Sequence, residues 1–256
     1  MRFGYVPALH ENLLCEIEFA KENFDFVEVT YVPGADFARI GRRAIEKVLG
    51  NFPAKGCVHW SYDFSNISRT QMQKAISQLS FFSSIGIKDV TVTPSLNKNL
   101  FVGSMLSHNM PSFLRVRDFC WNNNISLHVE NTVAFPFNKP AAINSLLYHF
   151  PTMKFTLNLG HSLAGYADSY PYFLKDVSKS PSHFCLHDAD FHHSHLAFTE
   201  KEKMLEVMQY VKSRNSRASV GLQIFYKVQD GKKVSLETKE RRQILLDHLK
   251  ILHEEL

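Results

Sequence analysis

Apolar residues along this chain gather into eight short runs rich in β-branched and aromatic side chains. They read RFGYV (2–6), FDFVEVTYV (24–32), GCVHW (56–60), DVTVTP (89–94), ISLHVEN (125–131), KFTLNL (154–159), HFCLHD (183–188) and SVGLQIF (219–225). Runs of this length and composition predict strands. The segments between them change to a helical period. RTQMQKAISQLSFFSSIG (69–86) sets Met72, Ile76, Leu79 and Phe82 on one face and stops at Gly86. PSFLRVRDFCWNNN (111–124) opens on proline and closes on asparagines. EKEKMLEVMQYVKSRN (200–215) and ETKERRQILLDHLKILHEEL (237–256) are amphipathic.

Strands that alternate with helices imply a parallel sheet. Eight such units in a chain of this length predict one closed (β/α)8 barrel over residues 1–256. An open doubly wound sheet would want a glycine-rich phosphate turn after its first strand, and RFGYVPALHEN has no GxGxxG. The long connection 94–112, with Gly103 inside it, has the small residues that a lid would use.

Composition narrows the classes further. The chain is 45% hydrophobic and 21% charged, as soluble globular proteins are. Its formal charge of +4 is spread along the sequence, which permits a nucleic-acid surface without indicating one. Cys15, Cys57, Cys120 and Cys185 lie far apart with no CxxC, so they read as small buried hydrophobes in a reducing compartment. No apolar stretch is long enough to span a membrane and the first residues do not read as a cleavable signal, so the expectation is a cytoplasmic protein with no membrane partner.

In a parallel barrel the site lies at the C-terminal ends of the strands, where alternate residues point inward. The last inward positions are Glu28, His59, Thr93, Glu130, Asn158, His187 and Gln223. A barrel end built for stability alone would carry Val, Ile and Leu there. A polar ring of this kind predicts a functional cavity. Trp60 and Phe191 are placed to stack on a ligand near it.

The same segments resemble the xylose isomerase-like barrel superfamily, which holds sugar isomerases and epimerases and the endonuclease IV family. VHWSYDFSNIS (58–68) is similar to the histidine-bearing motif after the third strand, LHVEN (127–131) to the strand that supplies a metal-binding glutamate, and LNLGHS (157–162) to an aspartate-glycine-histidine motif. CLHDADFHHSHLAF (185–198) and VGLQIF (220–225) match in order and spacing. The resemblance implies a mononuclear metal site at Glu130, Asn158, His187 and Gln223, where the family has Glu, Asp, His and Glu. Asn158 and Gln223 are thus amides in place of carboxylates. The trinuclear zinc site of the endonuclease relatives would add His59, Thr93, His161, His193 and His195, with Thr93 and His193 departing from the pattern.

The loss of carboxylates removes the hard oxygen ligands that magnesium or manganese prefers, and leaves imidazoles that favour zinc. His161, His193 and His195 are candidates for a three-nitrogen site, with His193 and His195 on one side of an extended segment. Glu130 is the candidate acid–base group, with His59 or His187 as the second, because Gln223 cannot take up a proton. The chemistry expected is isomerase or lyase action on a sugar-like carbonyl compound. Two alternatives stay open: a barrel that binds a small ligand without metal or catalysis, and an endonuclease IV-like zinc phosphodiesterase. Relatives in this superfamily often assemble as homo-oligomers, and the resemblance implies the same here.

Overall fold

The computed structural model describes the chain except for residues 9–11, 32–39, 64–66, 96–111, 113, 166–169, 191–192 and 216, and the side chains of 60–63, 94, 95 and 165. All eight predicted strands form. They are β1 (Arg2–Tyr5), β2 (Phe26–Tyr31), β3 (Ala54–Asp63), β4 (Asp89–Ser95), β5 (Ser126–Glu130), β6 (Lys154–Asn158), β7 (His183–Leu186) and β8 (Ser219–Leu222). They pair in sequence order into a closed barrel. Every neighbour is parallel, and β8 closes on β1 in the register Arg2↔Ser219 to Tyr5↔Leu222.

Helices lie between the strands. They are α1 (Leu13–Asn23), α2 (Arg42–Leu49), α3 (Arg69–Ser84), α4 (114–122), α5 (Pro140–His149), α6 (Leu159–Gly165), α7 (Tyr170–Asp176), α8 (Lys201–Arg214) and α9 (Thr238–Glu255). Local chemistry sets their ends. Ser68 and Gln71 close a reciprocal capping box at the start of α3, which ends before Gly86 at φ 81°. Pro140 opens α5, where a missing N–H costs nothing. A hairpin, β9 (Tyr226–Gln229) with β10 (Lys232–Ser235), separates β8 from α9 and turns at Asp230 and Gly231, both at positive φ. The apolar period does not reveal it, because both strands are largely exposed and carry little hydrophobic signal.

The apolar core lies between the barrel and its helices. Val27, Val29, Val58, Val90, Val92, Val129 and Val220 point outward into it and are fully buried. Inward positions on the same strands are mostly polar. Thr91 and Thr156 share a 3.0 Å hydrogen bond across the barrel, and His128 reaches Asp89 at 3.2 Å. Of the four cysteines, Cys57, Cys120 and Cys185 are buried and unpaired, whereas Cys15 is exposed on α1. Among the described residues no helix is long and apolar enough to cross a membrane. Most of the 94–112 connection, including Gly103, lies outside the described residues.

One buried charge cluster ties the first barrel unit to the last helix. Glu16 of α1 accepts hydrogen bonds from Arg241 at 2.8 Å and Arg242 at 2.5 Å, and from the Tyr5 hydroxyl. Arg241 is fully buried and its guanidinium lies over the Tyr5 ring at 5.2 Å. Removing the carboxylate strands a guanidinium away from water. Glu16→Ala should therefore lower the unfolding free energy by about 3–5 kcal/mol, measured by urea denaturation. Glu16→Gln, which keeps an acceptor, should cost less.

Candidate active site

The ends of β3 to β8 bring most of the predicted ring together, and one pair of groups organises it. Glu130 ends β5 and Asn158 ends β6, both buried. Asn158 Nδ2 donates to Glu130 Oε1 at 2.7 Å, and Asn158 Oδ1 accepts from the His161 backbone N–H at 2.9 Å. Asn131 braces the same corner. Its Oδ1 accepts from the Asn158 N–H at 2.7 Å, and its Nδ2 donates to the Asn158 carbonyl at 3.0 Å and to Ser162 Oγ at 3.2 Å. An aspartate at 158 would need a cation to lie against Glu130. The amide needs none, because its N–H supplies the positive end of the contact.

Three imidazoles crowd the adjoining rim. His161 lies in the first turn of α6, His187 follows β7, and His195 lies on the segment that leads to α8. One ring nitrogen of each lies within 4.8 Å of the others. His187 and His195 have ring centroids 4.3 Å apart, with His161 5.8 and 5.9 Å from them. Gly160 makes the room: a Cβ there would sit 1.8 Å from His187 Cε1. This is the physical reason for the glycine in LNLGHS. His195 adopts φ 62°, a left-handed conformation that a non-glycine residue holds only when its surroundings enforce it. Here its carbonyl accepts from the N–H groups of Phe225 and Tyr226 at 2.9 and 3.1 Å, and its ring stacks on Phe225.

The cluster suits a metal ion. His187 Nε2 and His195 Nδ1 are buried without a hydrogen-bond partner. Burial pushes His161 down to about 4 and His187 down to about 3, and it lowers His195 further. The rings are thus neutral at pH 7, the form in which imidazole is a ligand. His187 Nδ1 lies 3.0 Å from both the Asp188 carbonyl and the His195 N–H. Donation to the carbonyl leaves Nε2 with a free lone pair, and acceptance from the N–H leaves Nε2 with the proton.

Burial acts in the opposite sense on Glu130. It raises the carboxyl to about 8, a shift that the Asn158 hydrogen bond only partly offsets. Glu130 is buried beside Cys185, and Gln223 Oε1 is buried and unpartnered. His59 Nδ1 meets Thr93 Oγ1 at 2.7 Å.

The structure places other predicted residues elsewhere. β2 continues to Tyr31, so Glu28 lies one inward position below the end of its strand and faces His183, not the mouth. His193 turns to Asp190, with Nδ1 2.9 Å from its carboxylate, and stands outside the imidazole group, which takes His187 in its place. Phe191 lies outside the described residues, as does the side chain of Trp60 on β3. Asn131, which closes LHVEN, has no part in the predicted ring. Its signal was a second amide directly after the last strand residue. Cys57, whose spacing predicts only a buried hydrophobe, groups with His59 and Glu130.

The depressed histidines make stability depend on acid. Folded His161 and His187 stay neutral down to about 4 and about 3, whereas in the unfolded chain histidine takes up a proton near pH 6.5. The unfolded state therefore binds more protons in this window, and stability falls as pH drops from about 6.5. Thermal melts of the chelated protein from pH 7 to 4 should show this loss, and His161→Gln should reduce it.

A comparison with protein-family models gives no match, and neither does one with curated proteins. Solved structures do match. D-psicose 3-epimerase with D-tagatose, from Clostridium cellulolyticum H10, superposes at TM-score 0.76 with 12% identity, covering 100% of this chain and 99% of that one. The IolI protein with a binding zinc atom gives TM-score 0.76, 12% identity and coverage of 100% and 99%. A xylose isomerase domain-containing protein from Salmonella typhimurium gives 0.74, 14% and coverage of 98% and 97%. At this level of identity the likeness is one of fold, and the chain is a (β/α)8 barrel of the xylose isomerase-like fold.

Proposed function

We propose that this barrel is an enzyme that moves a proton at carbon beside the carbonyl of a sugar or related small compound, with Glu130 as the acid–base group. The observation that carries the reading is the state of Glu130. One carboxyl oxygen is fixed by Asn158, the whole group is buried beside Cys185, and burial raises it to about 8. A proton-transfer group works best with a pKa close to the working pH. Gln223 cannot exchange a proton, so the two-carboxylate arrangement of an epimerase is not available. His59 or His187 supplies the second proton-handling group, which favours isomerase or lyase chemistry.

His161, His187 and His195 would hold a divalent ion, with zinc favoured over magnesium or manganese by their nitrogen donors. Such an ion supplies Lewis-acid polarisation of a carbonyl oxygen. The fold neighbours give this support, since one was solved with a bound sugar and another with zinc. Asn158 and Gln223 would orient the ligand by hydrogen bonds, and Thr93 holds His59 in place. A second reading, ligand binding without metal, is favoured by the Asn158–Glu130 bond, which satisfies that corner with no cation.

Deuterium exchange separates the two. Incubated in D2O with a panel of ketohexoses, the protein should wash deuterium into the carbon next to the carbonyl, followed by NMR. Glu130→Gln should slow this by about 10²–10⁴-fold with the fold intact. Binding without exchange in the wild type would leave the non-catalytic reading. The exchange rate should also rise with pH through about 8 as Glu130 ionises, and Glu130→Gln should lose that limb. Chelation should abolish exchange, and zinc should restore it.

A further inference from the structure

The hairpin that follows β8 carries a cation toward the imidazoles. Its first strand is tied to the segment that bears His195. The N–H groups of Phe225 and Tyr226 donate to the His195 carbonyl, and the Ala197 N–H donates to the Tyr226 carbonyl at 3.0 Å. Antiparallel pairing sets Tyr226 opposite Ser235 and Val228 opposite Lys233, so Tyr226 and Lys233 share one face of the hairpin. Lys233 Nζ sits 3.9 Å over the Tyr226 ring. From there its charge reaches both His187 and His195 and disfavours a proton on either.

Neighbouring lysines are already paired. Lys203 meets Asp188 at 2.5 Å, and Lys227, on the opposite face of the hairpin, meets Glu240 at 2.6 Å. Among the described residues no carboxylate lies within ion-pairing distance of Lys233. Asp190, whose charge favours the ammonium from farther off, is engaged by the His193 N–H at 2.6 Å and by the His193 ring at 2.9 Å. Partial burial lowers the Lys233 pKa, a cost that an anion beside it would offset.

The rest of the mouth supplies little negative charge. Neutral imidazoles leave a divalent ion its full charge, Asn158 and Gln223 are neutral, and the Glu130 carboxyl is held by the Asn158 amide. An unpaired ammonium near such an ion weakens metal binding unless an anion shares the field of both.

We propose that Lys233 binds an anionic group of the substrate, so that the compound acted on is a sugar phosphate or a sugar acid and not a neutral sugar. This rests on the reading of the mouth given above and narrows its substrate class. Phosphate and carboxylate share what the ammonium takes, which is negative charge on oxygens that accept its N–H donors.

D-Tagatose, D-tagatose 6-phosphate and D-tagaturonate have the same ketone and differ at the far end of the carbon chain. Isothermal titration calorimetry on the whole chain supplied with zinc should find at least one of the two anions bound about 10–100-fold more tightly than D-tagatose. The arm that gains tells phosphate from carboxylate. Lys233→Met should remove the gain and leave D-tagatose binding unchanged, and Lys233→Arg should keep it. Lys232→Met, on the other face of the hairpin, should not alter it. Three ligands bound alike or not at all, or a gain that survives Lys233→Met, would overturn the proposal. Deuterium exchange in the same samples separates the two readings. Anion binding that depends on Lys233 but brings no exchange overturns the proton transfer and supports the anion site. Exchange with one KM for all three compounds overturns the anion site alone.

Discussion

The hydrogen bond from Asn158 to Glu130 is the constraint around which the mouth of this barrel is built. It joins the ends of two neighbouring strands through side chains, while Asn131 joins the same ends through side chain and main chain. Because the Asn158 amide is spent on both Glu130 and the first turn of α6, it also sets where His161 begins. One amide thus fixes the carboxyl that titrates near neutrality and the first of three imidazoles. The corner is held by hydrogen bonds from a neutral amide, without a second charge beside Glu130.

The interior behind that mouth is unusual for its polarity. Barrels of this kind are filled mainly by branched aliphatic side chains. Here the inward positions carry Thr91, Thr156, His128, His183, Glu28 and Glu130, while the aliphatic residues face the helices. Buried polar groups are tolerated only when satisfied. The threonine pair and His128–Asp89 meet that condition. Glu28 sits below the ordinary carboxylate range because the neighbouring His183 outweighs the burial that would raise it.

Much of the fold was legible because each strand has one face on the helices, so its apolar run stands out against the helical period around it. The polar ring was legible for the complementary reason: Glu130, Asn158, His187 and Gln223 interrupt those runs where a strand should end. Other features left no periodic trace. The exposed β9–β10 hairpin buries too little to mark itself. The exchange of His193 for His187 in the imidazole group depends on a backbone turn at His195 and on space above Gly160, and neither follows from spacing. The predicted ring counts Glu28 as the last inward residue of its run, although Thr30 is the inward position nearer the strand's end. That further inward position sets Glu28 one layer below the mouth, against His183.

The cluster of Glu16 with Arg241 and Arg242 also bears on how the chain reaches this state. Glu16 meets Arg241 across a sequence separation of 225 residues, and β1 cannot pair with β8 until Ser219–Leu222 exist. A chain under synthesis therefore exposes a carboxylate and a strand edge whose partners come last. Contacts of such long separation are slow to form, since loop closure has to be met before they contribute. The late joining of the two ends leaves the β1 edge and the Glu16 carboxylate without these partners in partly assembled forms, until β8 pairs and α9 docks.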